Sequence, residues 1–358
     1  MEKPSCVPYL TACLATLALI LVTLRLRRRR KLNLPPGPKP WPIIGNLNFI
    51  GPLPHQSIHA LSQKYGPIML LKFGSFPVIV ASSAEMARAL LKTNDAIFTD
   101  QPKTAAGKYT TYNYSDITRS SYGPYWRQAR KMCLMELFSA KRLESFEYIR
   151  KEERKVFLQR LYESCGTPIV LKDHLLNLNL NVISRMVFGK KYTEGTGEKE
   201  IVTPKEFMEM LDELFLLNGV LDIGDSIPWL GFLDLQGHIK RMKMLAKKLD
   251  RFLEHVLDEH NARRQGVKDY VAEDMVDVLL QLSEDPNLEV KLERHGVKAF
   301  SQVIQTSLAN VLHGFTWKLP GNTAENDLNM EEIFGLSPPK RYPLEAVAEP
   351  RLPLHMYS

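Results

Sequence analysis

The sequence predicts a mainly α-helical chain with a small β part, carried behind one N-terminal transmembrane helix. Three observations predict it. Ser5 to Leu24 runs for twenty residues without a charge. Only one early pair of short runs is rich in β-branched and aromatic residues. Elsewhere apolar residues recur at helical spacing, in stretches bounded by Ser, Gly, Pro, Asp and Asn.

The uncharged run is long enough to cross a bilayer, which takes roughly 20 apolar residues. A cleaved signal peptide would carry its basic residues before the apolar run, and here they follow it. Arg25, Arg27, Arg28, Arg29, Arg30 and Lys31 supply six of the seven net positive charges, leaving about +1 for the rest of the chain. That distribution favours a membrane surface over nucleic acid, which asks for basic residues interleaved with aromatics. The basic flank stays cytosolic, so the expected arrangement is a single-pass protein contacting membrane lipid, with most of the chain in the cytosol.

Next comes Leu34-Pro35-Pro36-Gly37-Pro38-Lys39-Pro40-Trp41-Pro42, whose prolines fix an extended backbone and remove helical donors. An SH3-type ligand is one reading of such a run; its place directly after an anchor reads as a hinge. Beyond it, Ile68 to Phe73 and Pro77 to Ala81 form a hairpin through Gly74-Ser75-Phe76. Ser82 and Ser83 cap a helix through Leu91, and Ser139 caps a long helix toward Glu163 with Leu143, Phe146, Phe157 and Leu161 on its apolar side. Further helices are expected at Leu171 to Phe188, Pro204 to Asn218, Leu235 to Arg263, Ala272 to Leu282 and Glu289 to Leu312. Lys190 to Lys199 reads as a surface loop. The organisation is thus an anchor with basic flank at 1–31, a hinge at 32–47, a globular part at 48–302 and a terminal helix and loop at 303–358.

With 44% hydrophobic and 24% charged residues among 358, a large core is expected and disorder throughout is excluded. Cys6, Cys13, Cys133 and Cys165 make no CxxC pair, so neither a disulfide framework nor a metal site is expected. The most informative local run is Tyr122-Gly123-Pro124-Tyr125-Trp126-Arg127-Gln128-Ala129-Arg130. Trp126 and Arg130 stand one helical turn apart and share a face, and an indole N–H beside a guanidinium suits a carboxylate. Taken alone, the pair reads as a packed Trp beside a surface Arg. Glu147-Tyr148-Ile149-Arg150 reads as a solvated i,i+3 pair.

The anchor, the basic knot and LPPGPKPWPIIGNL together resemble the N-terminus of plant microsomal cytochromes P450, haem-thiolate monooxygenases. The Trp126–Arg130 run resembles that family's W-R-x-x-R helix, and Phe98-Thr99-Asp100-Gln101-Pro102 its F-x-D-R-P, with Gln101 where Arg is usual. Near the other end, Ser307 to Phe315 resembles the end of the helix after the haem cysteine. Phe334-Gly335-Leu336, followed by Pro343-Leu344 and Arg351-Leu352, resembles the loop that closes the substrate cavity. The resemblance implies a partial P450 fold and an endoplasmic reticulum location. It also implies a haem whose propionate meets Trp126 and Arg130, a small apolar substrate against Phe334, Gly335 and Leu336, and NADPH electrons from a reductase partner.

One part of the pattern is missing. Oxygen activation in this family requires a cysteine thiolate on iron, yet no F-x-x-G-x-R-x-C-x-G loop occurs in the sequence. Cys165-Gly166 is the one Cys-Gly pair and lacks the preceding Gly and Arg. The central helix's acidic-Thr turn is missing too, and the two matching pieces meet near Gln302 and Val303. No catalytic residue and no metal ligand is therefore assigned. The expected function is that of a P450 inert as written or, alternatively, of a non-catalytic membrane-anchored protein that binds a reductase or another P450.

Overall fold

The computed structural model describes residues 11–13, 15–20, 33–192, 201–267, 270–286, 288, 290–300, 315–321, 327–335 and 338–350. Residues 11–13 and 15–20 are helical. The rest of the expected anchor lies outside the described residues, among which no helix is long and apolar enough to cross a membrane.

The prolines after the expected anchor keep the backbone extended, and it lies along a strand. Pro36 C=O accepts from Leu70 N–H at 2.9 Å, and Asn46 N–H donates to Lys72 C=O at 2.6 Å. Lys72 N–H donates back to the Asn46 side chain at 2.8 Å. Gly45 makes this approach possible: its φ is +66°, and a Cβ there would sit 2.1 Å from Lys72 O. Gly45→Ala should therefore cost about 1–3 kcal/mol through left-handed backbone strain alone, more once the clash is added. Urea unfolding of the full chain checks this; an unchanged midpoint would mean that the segment lifts off the strand.

After a 3₁₀ turn at Leu47–Phe49 come α1 (Pro54–Tyr65) and the hairpin β1 (Ile68–Phe73) and β2 (Phe76–Ala81), antiparallel with Ile68 opposite Ala81. Ser83 caps α2 (Ala84–Arg88) by accepting from Met86 N–H, and the helix widens into a π turn at Ala89–Thr93. α3 (Asp95–Phe98) and α4 (Ala105–Thr110) precede α5 (Pro124–Met132), which runs on as a π turn through Cys133–Leu137.

The helix expected from Ser139 to Glu163 is two helices, α6 (Ala140–Ser145) and α7 (Glu147–Glu163). Ser139 does cap the first. The break falls at Phe146, 2% exposed, whose ring enters the core while its backbone leaves the helical region. Nor do Glu147 and Arg150 pair: Glu147 reaches Lys151 at 3.0 Å, and Arg150 donates to Leu143 C=O at 2.8 Å.

Then follow β3 (Pro168–Val170), α8 (Leu171–Phe188), α9 (Pro204–Gly219), α10 (Ile223–Ser226), a 3₁₀ turn at Pro228–Leu233, α11 (His238–Arg264), α12 (Met275–Ser283) and α13 (Arg294–Phe300). Thr203 and Glu206 close a reciprocal capping box on α9. The expected loop at 190–199 is described only to residue 192, and residues 301–314, including most of Ser307 to Phe315, lie outside the described residues.

A second sheet was not expected. β5 (Glu345–Pro350) lies between β3 and β4 (Phe315–Lys318), antiparallel to both, with Val347 opposite Pro168 on one side and Lys318 on the other. Ala348, wholly buried, joins Phe157, Leu161 and Leu178 in a small core between this sheet, α7 and α8. The main core collects α5, α8, α9, α11 and α12. Its centre is aromatic: Phe252 meets Phe188 edge-on at 5.6 Å and Phe207 at 5.4 Å between ring centroids.

Candidate functional site

Pro124 opens α5, where a missing N–H costs nothing, and puts Trp126 and Arg130 on one face. The exposed Arg130 guanidinium stacks over the half-buried Trp126 ring, 5.3 Å from its centroid. The two polar groups do not point the same way. The indole N–H donates to Ile117 C=O at 3.1 Å, leaving Arg130 as the donor open to an anion, with no carboxylate partner among the described residues. Arg127 and Lys131 are exposed beside it, so this face of α5 is cationic.

The opposite face is fixed inward. The Gln128 amide accepts from Val290 N–H at 2.6 Å and donates to Val290 C=O. Tyr125 donates to Ser115 C=O at 2.6 Å, and burial, helped by Asp116, pushes its hydroxyl up to about 12, so it stays a donor. Tyr112, Asn113 and Tyr114 are all left-handed, with φ of 50°, 57° and 65°. Hydroxyl bonds from Tyr112 to Asp250 and from Tyr114 to Thr104 C=O hold this strained turn.

Phe334 and Gly335 are half-buried, and Leu336 lies outside the described residues. Phe334 borders an apolar groove of about 450 Å³ with Ile44, Leu47, Pro54, Ile223 and Ile227. Trp126 and Arg130 do not line it, so the two expected site regions remain separate. Glu332, two residues before Phe334, accepts from His55 at 2.8 Å and from Gln56 at 2.9 Å at the start of α1. These bonds hold its carboxyl below the usual range.

A haem-thiolate centre needs a deprotonated sulfur facing a porphyrin-sized space. Cys133 is buried at the start of the π turn, and desolvation pushes its thiol up to about 11. Cys165 is partly buried, its thiol also raised by burial and donating to Leu161 C=O at 3.4 Å. Both environments favour the protonated thiol. Cys13 is exposed and Cys6 lies outside the described residues. The described residues do not fit the group that the resemblance implies.

Sequence reasoning missed the buried charges. Glu153, 2% exposed, meets Arg185 at 2.6 Å and Lys191 at 3.2 Å, joining α7 to the end of α8. Lys298 on α13 is clasped by Asp250 and by Glu254, the latter at 2.8 Å, on α11. Arg294, one turn earlier, binds Glu254 and Asp258. A helical wheel shows the i,i+4 series Asp250, Glu254, Asp258 and Arg294, Lys298, but nothing in either series says that they face each other.

The cytochrome P450 family model matches residues 35–306. The chain is 42% identical over 288 residues to trimethyltridecatetraene synthase of Zea mays, covering 75% of this chain and 51% of that one. It is 40% identical over 285 residues to dimethylnonatriene synthase of Zea mays, covering 75% and 53%. Over 255 residues it is 42% identical to flavonoid 3'-monooxygenase of Petunia hybrida, covering 70% and 48%. The chain thus spans about half the length of the curated relatives it matches. A family match over most of the chain, on a mainly helical fold with this α5 motif, means that the chain belongs to the cytochrome P450 family.

Proposed function

We propose that this chain is a membrane-tethered P450 of the plant microsomal type that holds no haem-thiolate centre and so performs no oxygen insertion. The observation that carries the reading is the state of its thiols: Cys133 and Cys165 are both desolvated and biased toward the neutral form. The chemistry of the lineage is haem-dependent monooxygenation of a small apolar plant metabolite with NADPH electrons relayed by a reductase. The relatives' names, a trimethyltridecatetraene synthase, a dimethylnonatriene synthase and a flavonoid 3'-monooxygenase, suit the apolar groove beside Phe334.

Membrane attachment follows from the uncharged Ser5–Leu24 run and its basic flank. The exposed apolar side chains of Trp41, Ile43, Phe76, Trp229 and Phe232 support the same reading. The second reading, a non-catalytic partner of a reductase or of another P450, is favoured by one feature, the exposed Arg127, Arg130 and Lys131 of α5, which suit an acidic partner.

One experiment tests location and activity together. Microsomes from cells expressing the full chain should retain it through alkaline carbonate extraction. Supplied with reductase and NADPH, they should convert neither a flavonoid nor a linear terpenoid. Recovery in the soluble fraction would remove the anchor; product formation would remove the claim of inactivity.

A further inference from the structure

Lys240, Lys243 and Lys247 stand three and four residues apart near the start of α11, so they share one face of the helix, and all three are exposed. None of the three meets a carboxylate among the described residues. With Tyr109, Phe232 and Ile239 they line an open groove of about 390 Å³. Lys243 Nζ lies 5.1 Å from the centre of the Tyr109 ring, and Lys108 Nζ lies 5.5 Å from the same centre. Two cations beside one ring repel each other, and an anion close to both relieves that repulsion. The carboxylate in the lining, Asp234, is already engaged: its oxygens accept from Ile239 N–H at 3.0 Å and from Lys240 N–H at 2.9 Å. Three positive charges against one negative leave the lining at +2.

The surroundings of the groove decide which anion fits. Phe232, in the groove wall itself, is 82% exposed. In the stretch that leads into α11, Leu235 is 62%, Trp229 58% and Leu233 48% exposed. A dissolved anion makes no use of such side chains, and water disfavours them. Against a bilayer each part has a place. The rings and leucines suit the acyl boundary, while lysine stems can lie along Ile239 and the exposed Met244 and carry their ammonium groups up to the phosphates.

We propose that this groove is a headgroup site for an anionic phospholipid of the phosphatidylserine kind, an assignment that rests on the membrane tether and adds a lipid preference to it. Lys240, Lys243 and Lys247 surround the headgroup's phosphate and carboxylate, and Phe232 lies beside the acyl chains. The basic knot from Arg25 to Lys31 answers to the charge of the whole surface, whereas the groove holds one lipid. Each lysine near an anionic surface adds roughly a five-fold preference, so the three together add on the order of a hundred-fold at low salt and less as salt screens them.

The test is acetylation footprinting of the full chain in vesicles, with mass spectrometry reading each lysine. In vesicles containing phosphatidylserine, Lys240, Lys243 and Lys247 should react roughly five-fold more slowly than in phosphatidylcholine alone. Lys205 on α9, its side chain 86% exposed, should keep its rate. In Lys243→Gln/Lys247→Gln, two changes at exposed positions, Lys240 should lose most of its protection. Equal rates in the two lipids, or slowing shared by Lys205, overturns the site. So does equal protection in phosphatidylcholine vesicles by inorganic phosphate or by polyglutamate, which would give the groove to a free anion or to an acidic protein. Flotation separates the two readings: a chain that floats with both kinds of vesicle without selective protection removes the headgroup site alone, and one that floats with neither removes the tether as well.

Discussion

Reduced and exposed to carbon monoxide, the full chain expressed with haem precursor should show no thiolate-type Soret band. The expectation rests first on sulfur. Burial favours the neutral form of Cys133 and Cys165, and the Cys165 S–H is bonded to Leu161 C=O. It rests next on the propionate donors. The Trp126 indole N–H is taken by Ile117 C=O, so Arg130 alone is free to hold a propionate. One charge-assisted bond is worth about 1.5–3 kcal/mol, too little to replace an axial ligand and the apolar walls of a porphyrin pocket. Spectra of Cys133→Ala and Cys165→Ala should match the parent. A thiolate band in the parent that one variant abolishes would identify that cysteine as a ligand and defeat the reading of this chain as inactive.

Arg185→Ala should cost about 3 kcal/mol of stability. The Arg185 guanidinium bridges Glu153 and Glu152 at 2.6 Å each, and Glu153 is 2% exposed. Without it a buried carboxylate keeps Lys191, at 3.2 Å, as its ion-pair partner among the described residues, which places the loss at the low end for breaking a buried pair. Denaturant unfolding of the full chain in detergent measures it, with Arg185→Met/Glu153→Leu as the control. That double replacement removes the charge along with its partner and should recover most of the loss. A loss below about 1 kcal/mol in the single variant would mean that water reaches Glu153 once the arginine is gone.

What the sequence disclosed was mostly local. Ser83 and Ser139 are caps because their side chains satisfy donors three residues away, and α8 was legible from the period of its apolar residues. The break at Phe146 escaped because burial of one ring, not a Gly or Pro, ends α6. The sheet escaped for another reason: three residues at Pro168–Val170 are too short to read as a strand, and their partner lies near the other end of the chain. At the candidate site, the W-R-x-x-R pattern placed Trp126 and Arg130 on one face, but the choice of Ile117 C=O by the indole depends on a loop folded back from outside the helix. His260 and Asp274 were invisible for a similar reason, since a His late in one helix and an Asp before the next carry no mark of their 2.8 Å contact.

The strand order β3-β5-β4 also bears on how the protein is made. The middle strand is the last to be synthesised, so until Glu345–Pro350 emerges the backbone of β3 is an open edge able to pair with another chain. Closing so long a loop is slow compared with forming the helices it encloses. The nascent protein therefore passes through a stage in which the main helical core can assemble while Phe157, Leu161 and Leu178 await Ala348. Chaperone dependence and aggregation during synthesis should concentrate in that interval, and a truncation just before Glu345 would make it permanent.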